Sequence, residues 1–88
     1  MLNSVILTVR MDRMNIECDM ELPAGIYGDE LCAKLLMALK SIDPGTFNSI
    51  EAINIRIKRT GKLLADGDTL ETAEVWDGSI VTVERKAR

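Results

Sequence analysis

The sequence contains no histidine, the side chain that most often serves as a general base or as a metal ligand near neutral pH. Its two cysteines, Cys18 and Cys32, lie too far apart for a CxxC motif. We therefore expect no enzymatic activity, no metal site and no cofactor. Each cysteine is expected to be a small buried side chain in a reducing compartment. A disulfide is an alternative only if a strand and a helix bring the two thiols face to face.

Aromatic residues, long apolar runs and an excess of basic charge are also missing. The chain has one Trp, one Tyr and one Phe, so its core must be aliphatic. A net charge of −3, a pI near 4.8 and scattered basic residues argue against nucleic-acid binding. No stretch approaches the roughly 20 apolar residues that span a bilayer, and the first residues lack the basic region of a signal peptide. The sequence therefore predicts a cytoplasmic protein without a membrane-inserted segment.

What is present is the composition of an ordinary soluble domain. The chain of 88 residues is 47% hydrophobic and 28% charged, which suits one small core and leaves no room for two. No internal repeat or low-complexity linker divides it. We expect a single domain over residues 1–88.

The first part of the chain has the pattern of a β-hairpin. Residues 5–10 are rich in β-branched side chains, and residues 16–22 alternate apolar and acidic side chains without a fault. The short connection at residues 11–15 suits a hairpin loop. The alternation predicts that the core receives Val5, Leu7, Val9, Ile16, Cys18, Met20 and Leu22. It places on the outer face Ile6, Thr8, Glu17, Asp19 and Glu21.

One helix is predicted next. It starts at Gly28 or Asp29, with Asp29 suited to be the N-cap, and runs to Ile42. Its apolar stripe consists of Leu31, Cys32, Leu35, Leu36, Ala38, Leu39 and Ile42. Pro44 stops the helix because a proline pushes the residue before it, here Asp43, out of helical geometry.

The second half of the chain contains shorter elements. Residues 46–52 form a connector, for which one helical turn is an open alternative, and its Phe47 and Ile50 are expected to cap one end of the core. Residues 53–59 alternate cleanly and predict a third strand with its isoleucines inward. The remaining predicted elements are a short strand at Leu63 and Leu64, a turn of helix over residues 69–75 and a last strand over residues 80–84.

The stretch after the third strand resembles a known family. The corresponding segment of ubiquitin has the order and spacing of Gly61, Lys62, Leu64, Asp66, Gly67, Thr69 and Leu70. Val75, Val81 and Val83 then fall on buried positions of ubiquitin. Through residues 63–70 and 75–80 the chain most resembles the bacterial YukD/EsaB-like proteins of type VII (WXG100) secretion systems.

This resemblance implies an α+β fold of the β-grasp (ubiquitin-like) class. The expected sheet is mixed and has about five strands, with the first and last strands parallel and adjacent in its centre. One helix is expected to pack across one face of the sheet, which leaves the other face open.

The resemblance also implies a function. YukD/EsaB-like proteins are cytoplasmic accessory or regulatory components of type VII secretion in Gram-positive bacteria, where an FtsK/SpoIIIE-type ATPase and WXG100 substrates also act. We therefore expect a non-catalytic protein that docks on the ATPase or on a membrane subunit. A generic ubiquitin-like adaptor unrelated to secretion is an alternative.

The conjugation chemistry of ubiquitin-like proteins resides in a C-terminal Gly-Gly. Here the sequence ends Glu84-Arg85-Lys86-Ala87-Arg88, so we expect neither a conjugated modifier nor a sulfur carrier. A β-grasp carrier or modifier whose Gly-Gly has been lost from the sequence is the alternative.

Partner binding is predicted on the open face of the sheet. The receptor patch of ubiquitin is built around an isoleucine and a valine at the positions of Lys58 and Glu84 here, so ubiquitin receptors should not recognise this surface. We expect Lys58 and Glu84 to pair with each other across adjacent strands. The predicted partner-binding residues are Ile6, Thr8, Arg56, Lys58, Ile80, Thr82 and Glu84. An ordinary solvated sheet face is an equal alternative. Trp76 is expected to cover the core beside Val75, and partial exposure of this side chain is the alternative.

Overall fold

Four β-strands and two helices occur in the part of the chain that the computed structural model describes, residues 4–11 and 16–86. They follow in the order β1 (Ser4–Met11), β2 (Ile16–Pro23), α1 (Gly28–Ile42), α2 (Pro44–Phe47), β3 (Ile53–Ile57) and β4 (Ile80–Arg85). The strands form one mixed sheet in the order β2-β1-β4-β3. Most of the predicted hairpin loop, together with the side chain of Ile16, lies outside the described residues.

The first and last strands lie side by side in the centre of the sheet and run parallel, as the resemblance implied. Val9 pairs with Val81 between them, and both side chains are completely buried. The outer strands are antiparallel to their neighbours, with Leu7 of β1 opposite Met20 of β2 and Ile55 of β3 opposite Val83 of β4. The period-two alternation of apolar residues therefore directs one row of each strand toward α1.

Helix α1 has the predicted span, but its N-cap residue and the exposure of its last residue differ from the prediction. Its N-cap is Tyr27, which makes no side-chain capping bond, while Asp29 lies in the first turn and accepts from the backbone N–H of Glu30. At the other end Ile42 is 63% exposed, although the periodicity placed it on the buried stripe. The chain leaves helical geometry at Asp43 (φ −141°, ψ 78°), which ends the helix directly after Ile42.

Gly28 begins α1 at a position with no space for a side chain. Its backbone packs directly against residues 64 and 65, and a Cβ there would overlap the carbonyl group of Ala65. The helix can therefore approach the loop after β3 closely only because residue 28 is a glycine.

Helix α2 is a single turn that closes one end of the core. The side chain of Asp43 accepts hydrogen bonds from the backbone N–H and the hydroxyl of Thr46, so it caps this turn after α1 has ended. Phe47 is 1% exposed and Ile50 is 9% exposed. Both therefore fill the end of the core, as predicted. The helical turn spans Pro44–Phe47, so it begins two residues before the predicted connector and includes only the first two residues of that connector.

The expected fifth strand is not formed among the described residues, so the predicted strand count is wrong by one. Leu63 makes only an isolated bridge with Arg56. On either side of it, the N–H of Ile57 donates to the carbonyl of Lys62 (2.9 Å) and the N–H of Leu64 donates to the carbonyl of Ile55 (2.8 Å). The segment pairs with the edge of β3, but it is too short to be a strand.

Residues 69–75 form hydrogen-bonded turns that include one helical bond, from the Ala73 N–H to the Thr69 carbonyl (3.0 Å), but they do not continue as a helix. The hydroxyl of Thr72 accepts from the N–H of Thr69, and the hydroxyl of Thr69 accepts from the N–H of Thr72. These reciprocal bonds form a capping box, the arrangement with which a helical turn begins. Glu74 has a left-handed backbone (φ 59°), which turns the chain toward Val75.

The core is aliphatic apart from Phe47, and its buried side chains come from every element. Cys18 and Cys32 are half-buried free thiols at its margin, so the disulfide alternative is not the observed state and full burial is a correction to the prediction. Within the described ranges, no helix is long and apolar enough to cross a membrane, and no three acidic or cysteine side chains gather into a metal-binding group.

Candidate docking surface on the open sheet face

The sheet face opposite α1 brings the predicted partner-binding residues together. Thr8 of β1 lies opposite Asp19 of β2 on one side and opposite Ile80 of β4 on the other. The backbone N–H of Lys58, the residue after β3, donates to the carbonyl of Ile80 (3.1 Å). Asp19, Thr8, Ile80 and Lys58 therefore form one row across the whole open face.

A second row crosses the open face one step further along the strands. Glu17 lies opposite Arg10, Arg10 opposite Thr82, and Thr82 opposite Arg56. Arg10 was not among the predicted residues. The sequence carried a signal for it, because Arg10 continues the alternation of Ile6 and Thr8 along the same strand.

The acidic side chains of β2 are each held by a side chain of β1. The hydroxyl of Ser4 donates to the carboxylate of Glu21 (2.6 Å), and the hydroxyl of Thr8 donates to that of Asp19 (2.9 Å). Arg10 forms an ion pair with Glu17 at 3.2 Å. This part of the open face is acidic and ordered by hydrogen bonds across the strands.

On the opposite side of the open face, the ion pair that forms is not the predicted one. Glu84 pairs with Arg56 through both carboxylate oxygens, with Nη2 to Oε1 at 3.2 Å, and the guanidinium also donates to the carbonyl of Gly61 (2.7 Å). Hydrogen bonding to Arg56 lowers the pKa of Glu84, and hydrogen bonding to Glu84 raises the pKa of Arg56.

The register explains why Lys58 does not reach Glu84. Glu84 lies opposite Asn54 near the end of β4, and Arg56 is its diagonal neighbour on β3. Lys58 lies beside Ile80, at the other end of β4. Among the described residues its ammonium group forms no ion pair, and the side chain is exposed.

An apolar corner completes the open face near the start of β1. Ile6 and Trp76 are each 52% exposed. The turn that follows Trp76 is fixed to the backbone of Ile6, since the Ile6 N–H donates to the carboxylate of Asp77 (2.8 Å) and the Gly78 N–H donates to the Ile6 carbonyl (2.9 Å). Gly78 has the positive φ of 86° that this turn requires.

The exposure of Trp76 corrects the prediction that it covers the core. Val75 occupies that place and is 1% exposed, with its N–H bonded to the carbonyl of Leu70 (2.9 Å). The next residue then points away from the core, and Ser79 fixes the chain there because its hydroxyl accepts from the Trp76 N–H (3.0 Å).

A shallow groove of about 150 Å³ lies between α1 and β3, on the other side of the molecule. Its lining includes Asp29, Cys32, Leu36, Asn54, Asp66 and Lys86. Burial is the largest effect on Cys32 and raises the pKa of its thiol, which keeps the sulfur protonated and a poor nucleophile. The groove thus offers contact surface and a protonated thiol.

Comparison by sequence gives no match to any protein-family model or to any curated protein. Solved structures do match. The ubiquitin-like domain of the Mycobacterium tuberculosis type VII secretion system protein ECCD1 has a TM-score of 0.72 at 17% identity, over 94% of this chain and 99% of that one. The EccD5 ubiquitin-like domain from Mycobacterium xenopi also has a TM-score of 0.72, at 11% identity, over 98% and 100% of the two chains.

A longer chain also contains this architecture. Protomer 1 of the ESX-3 core complex matches with a TM-score of 0.64 and 18% identity, over 97% of this chain and 16% of that one. In these three comparisons the likeness covers nearly all of the present sequence. The chain therefore has the ubiquitin-like, β-grasp fold.

Proposed function

We propose that this protein is a non-catalytic accessory or regulatory component of a type VII secretion system and that it acts by docking on other proteins. The docking face consists of the seven predicted residues Ile6, Thr8, Arg56, Lys58, Ile80, Thr82 and Glu84, together with Arg10 and Trp76. Two of the structural neighbours are ubiquitin-like domains of secretion-system proteins, which favours this setting over a generic adaptor.

One observation carries the docking role: exposed apolar side chains share this face with the cation of Lys58, which has no ion pair among the described residues. Ile6 and Trp76 offer apolar surface to a partner. Lys58 offers the positive charge, whereas Arg56 is already engaged by Glu84. A partner that presents an apolar side chain and a carboxylate would satisfy both features.

The finer assignment within the proposal follows the resemblance to YukD/EsaB-like proteins. The protein would act in the cytoplasm of a Gram-positive bacterium and bind the FtsK/SpoIIIE-type ATPase or a membrane subunit of the secretion machine. The likeness to protomer 1 of the ESX-3 core complex supports this assignment, because a domain of this architecture is present in a component of that complex.

The test is an affinity purification from native cells with the tagged protein and two charge-reversal variants. Lys58→Glu alters the docking face, and Lys34→Glu makes the same change on the exposed side of α1. We expect the unaltered protein and Lys34→Glu to retain a secretion ATPase or membrane subunit, identified by mass spectrometry, and Lys58→Glu to lose it.

Two results would contradict the proposal. Equal recovery with Lys58→Glu and with the unaltered protein would remove the docking face from the interaction. Recovery of an adenylating enzyme, or of covalent adducts of the protein, would restore the alternative of a carrier or modifier.

A further inference from the structure

The outer edge of β2 carries backbone groups that can be assigned from the register. In β1 the backbone groups of Ile6 and Thr8 face β4, because the Thr8 N–H donates to Ser79 (2.9 Å) and the Ile6 carbonyl accepts from Gly78 (2.9 Å). The alternate residues of β1 must therefore bond to β2, and their partners there are Leu22, Met20 and Cys18.

The remaining residues of β2 point their backbone groups away from the sheet. The N–H and C=O groups of Glu17, Asp19 and Glu21 face the outer edge, and no hydrogen bond from the described part of the chain reaches them. The other edge of the sheet differs, since Lys62 and Leu64 bond to the backbone of β3. Of the two edges, only that of β2 offers a row of free backbone groups.

Beside this edge, the open face of the sheet is acidic and the helix side is apolar. Among the described residues of the open face, the three carboxylates of β2 have one ion-pair partner, the guanidinium of Arg10, so two of these negative charges have no ion pair there. On the helix side Cys18 and Met20 are only half-buried at the margin of the core. An added strand would therefore be matched if it carried basic side chains on one face and apolar side chains on the other.

A second copy of this chain does not supply such a strand. Antiparallel pairing of two β2 strands would place their acidic residues opposite one another, which is destabilising. Strand β3 does alternate apolar with polar or basic side chains, but Lys62 and Leu64 already occupy its outer edge. Neither β2 nor β3 of a second copy therefore matches this edge, which favours a segment of another protein as the occupant.

We propose that the free edge of β2 binds an extended segment of a partner protein as an antiparallel strand, in which basic residues alternate with apolar ones. The basic side chains lie beside Glu17, Asp19 and Glu21, and the apolar ones cover Cys18 and Met20. This site adjoins the docking face, since Thr8 and Arg10 bond to Asp19 and Glu17, but it does not depend on a role in secretion.

The first test uses the intact protein labelled with ¹⁵N and a capped heptapeptide that alternates lysine and valine. We expect the amide signals of Glu17, Asp19 and Glu21 to shift and their hydrogen exchange to slow in a saturable manner. A control peptide that alternates glutamate and valine should produce neither effect.

Backbone methylation of the peptide tests the pairing without any change in the protein. In the proposed geometry the lysines lie in hydrogen-bonded pairs with Glu17, Asp19 and Glu21, so their N–H groups face β2 and those of the valines face outward. N-methylation of two central lysines should abolish binding, whereas N-methylation of two central valines should leave it within twofold.

Charge reversal in the protein tests the choice of a basic partner. Asp19→Lys should weaken binding of the peptide roughly tenfold, because it replaces an attractive cross-strand pair by a repulsive one. Asp66→Lys makes the same change in an exposed loop near β3 and should leave the affinity unchanged.

Three outcomes would overturn the inference. The peptide could shift amides elsewhere and leave those of β2 unaffected. The two methylated peptides could bind equally. In the absence of peptide, the amides of Glu17, Asp19 and Glu21 could become protected as the protein concentration rises, which would identify a second copy as the occupant.

Discussion

The two faces of the sheet differ in burial and in charge although they are built from the same strands. On the helix side, Leu7 and Ile55 are completely buried, and no polar side chain among the described residues is buried with the core. On the open side, Ile6 is half-exposed and Arg56 is held by Glu84 in an ion pair. One face therefore supplies the stability of the fold through apolar burial, and the other can vary its charges with little effect on folding.

The largest effect expected from this comparison concerns neighbouring residues of β1. Leu7→Ala should lower the free energy of unfolding by about 2 to 5 kcal/mol, since it leaves a cavity in the centre of the core. Ile6→Ala, on the other face, should change it by less than about 0.5 kcal/mol. Chemical denaturation of both variants measures the difference, and similar losses would mean that the open face also contributes to the core.

The close contact between α1 and the loop after β3 should also contribute to stability, and it depends on a glycine. Gly28→Ala should cost about 1 to 3 kcal/mol, because the added methyl group overlaps the carbonyl group of Ala65. Gly25→Ala is the matched control, since no atom lies within 4 Å of its added methyl group. Thermal unfolding should separate the two variants, and a neutral Gly28→Ala would show that the helix can shift without loss.

The ion pair between Arg56 and Glu84 tests whether the open face contributes to stability at all. The lowered pKa of Glu84 means that its contribution is present above the unfolded-state pKa, near the ordinary value of 4.5. The contribution is lost as the pH falls through the lower pKa of the folded state. Since both side chains are more than a third exposed, solvent screens the pair and the effect is small.

A double-mutant cycle with Glu84→Gln and Arg56→Gln measures this coupling as a function of pH. We expect a small coupling energy at pH 7 that declines once the pH is below 4.5. A coupling energy that is constant between pH 7 and the acid limit of folding would contradict the assignment of the effect to the ionised Glu84.

The smallest expected effect is that of Lys58→Glu on stability. Its exposed ammonium group has no ion pair among the described residues, so the midpoint of denaturation should stay within experimental error of that of the unaltered protein. Combined with the expected loss of partner binding, this result would separate recognition from folding at a single residue. A destabilised Lys58→Glu would make its binding defect uninformative.

Local patterns in the sequence were sufficient for most of the helices and strands, whereas the parallel pairing of the first and last strands was predicted only from the resemblance to ubiquitin. Alternation predicted the inward residues of β1, and helical spacing predicted both ends of α1 to within a residue. The predictions that were wrong concern contacts between residues that are far apart in the sequence. The partner of Glu84 depends on the register of β3 against β4, and the exposure of Trp76 depends on how its turn is fixed to Ile6.

In the candidate site, too, local patterns predicted which residues face outward but not which of them contact one another. Alternation placed the residues of the site on the outward side of their strands, because successive side chains of a strand point to opposite faces of the sheet. It could not distinguish Arg56 from Lys58 as the partner of Glu84, since both point outward on the same strand. The exposed Ile42 is a similar case, because the helical period continues in the sequence after the helix has passed the edge of the core.

The bond between Ile6 and Asp77 joins residues 71 positions apart, and the central parallel strands β1 and β4 are separated by a similar stretch of chain. The middle of the sheet therefore cannot close until residues 80–85 have been synthesised and released. Until then, the apolar surfaces of the hairpin and of α1 stay exposed to solvent. Contacts of such long sequence separation also slow folding, because loop closure must precede the gain from packing. Newly made copies would thus depend on the speed with which the last strand reaches the first.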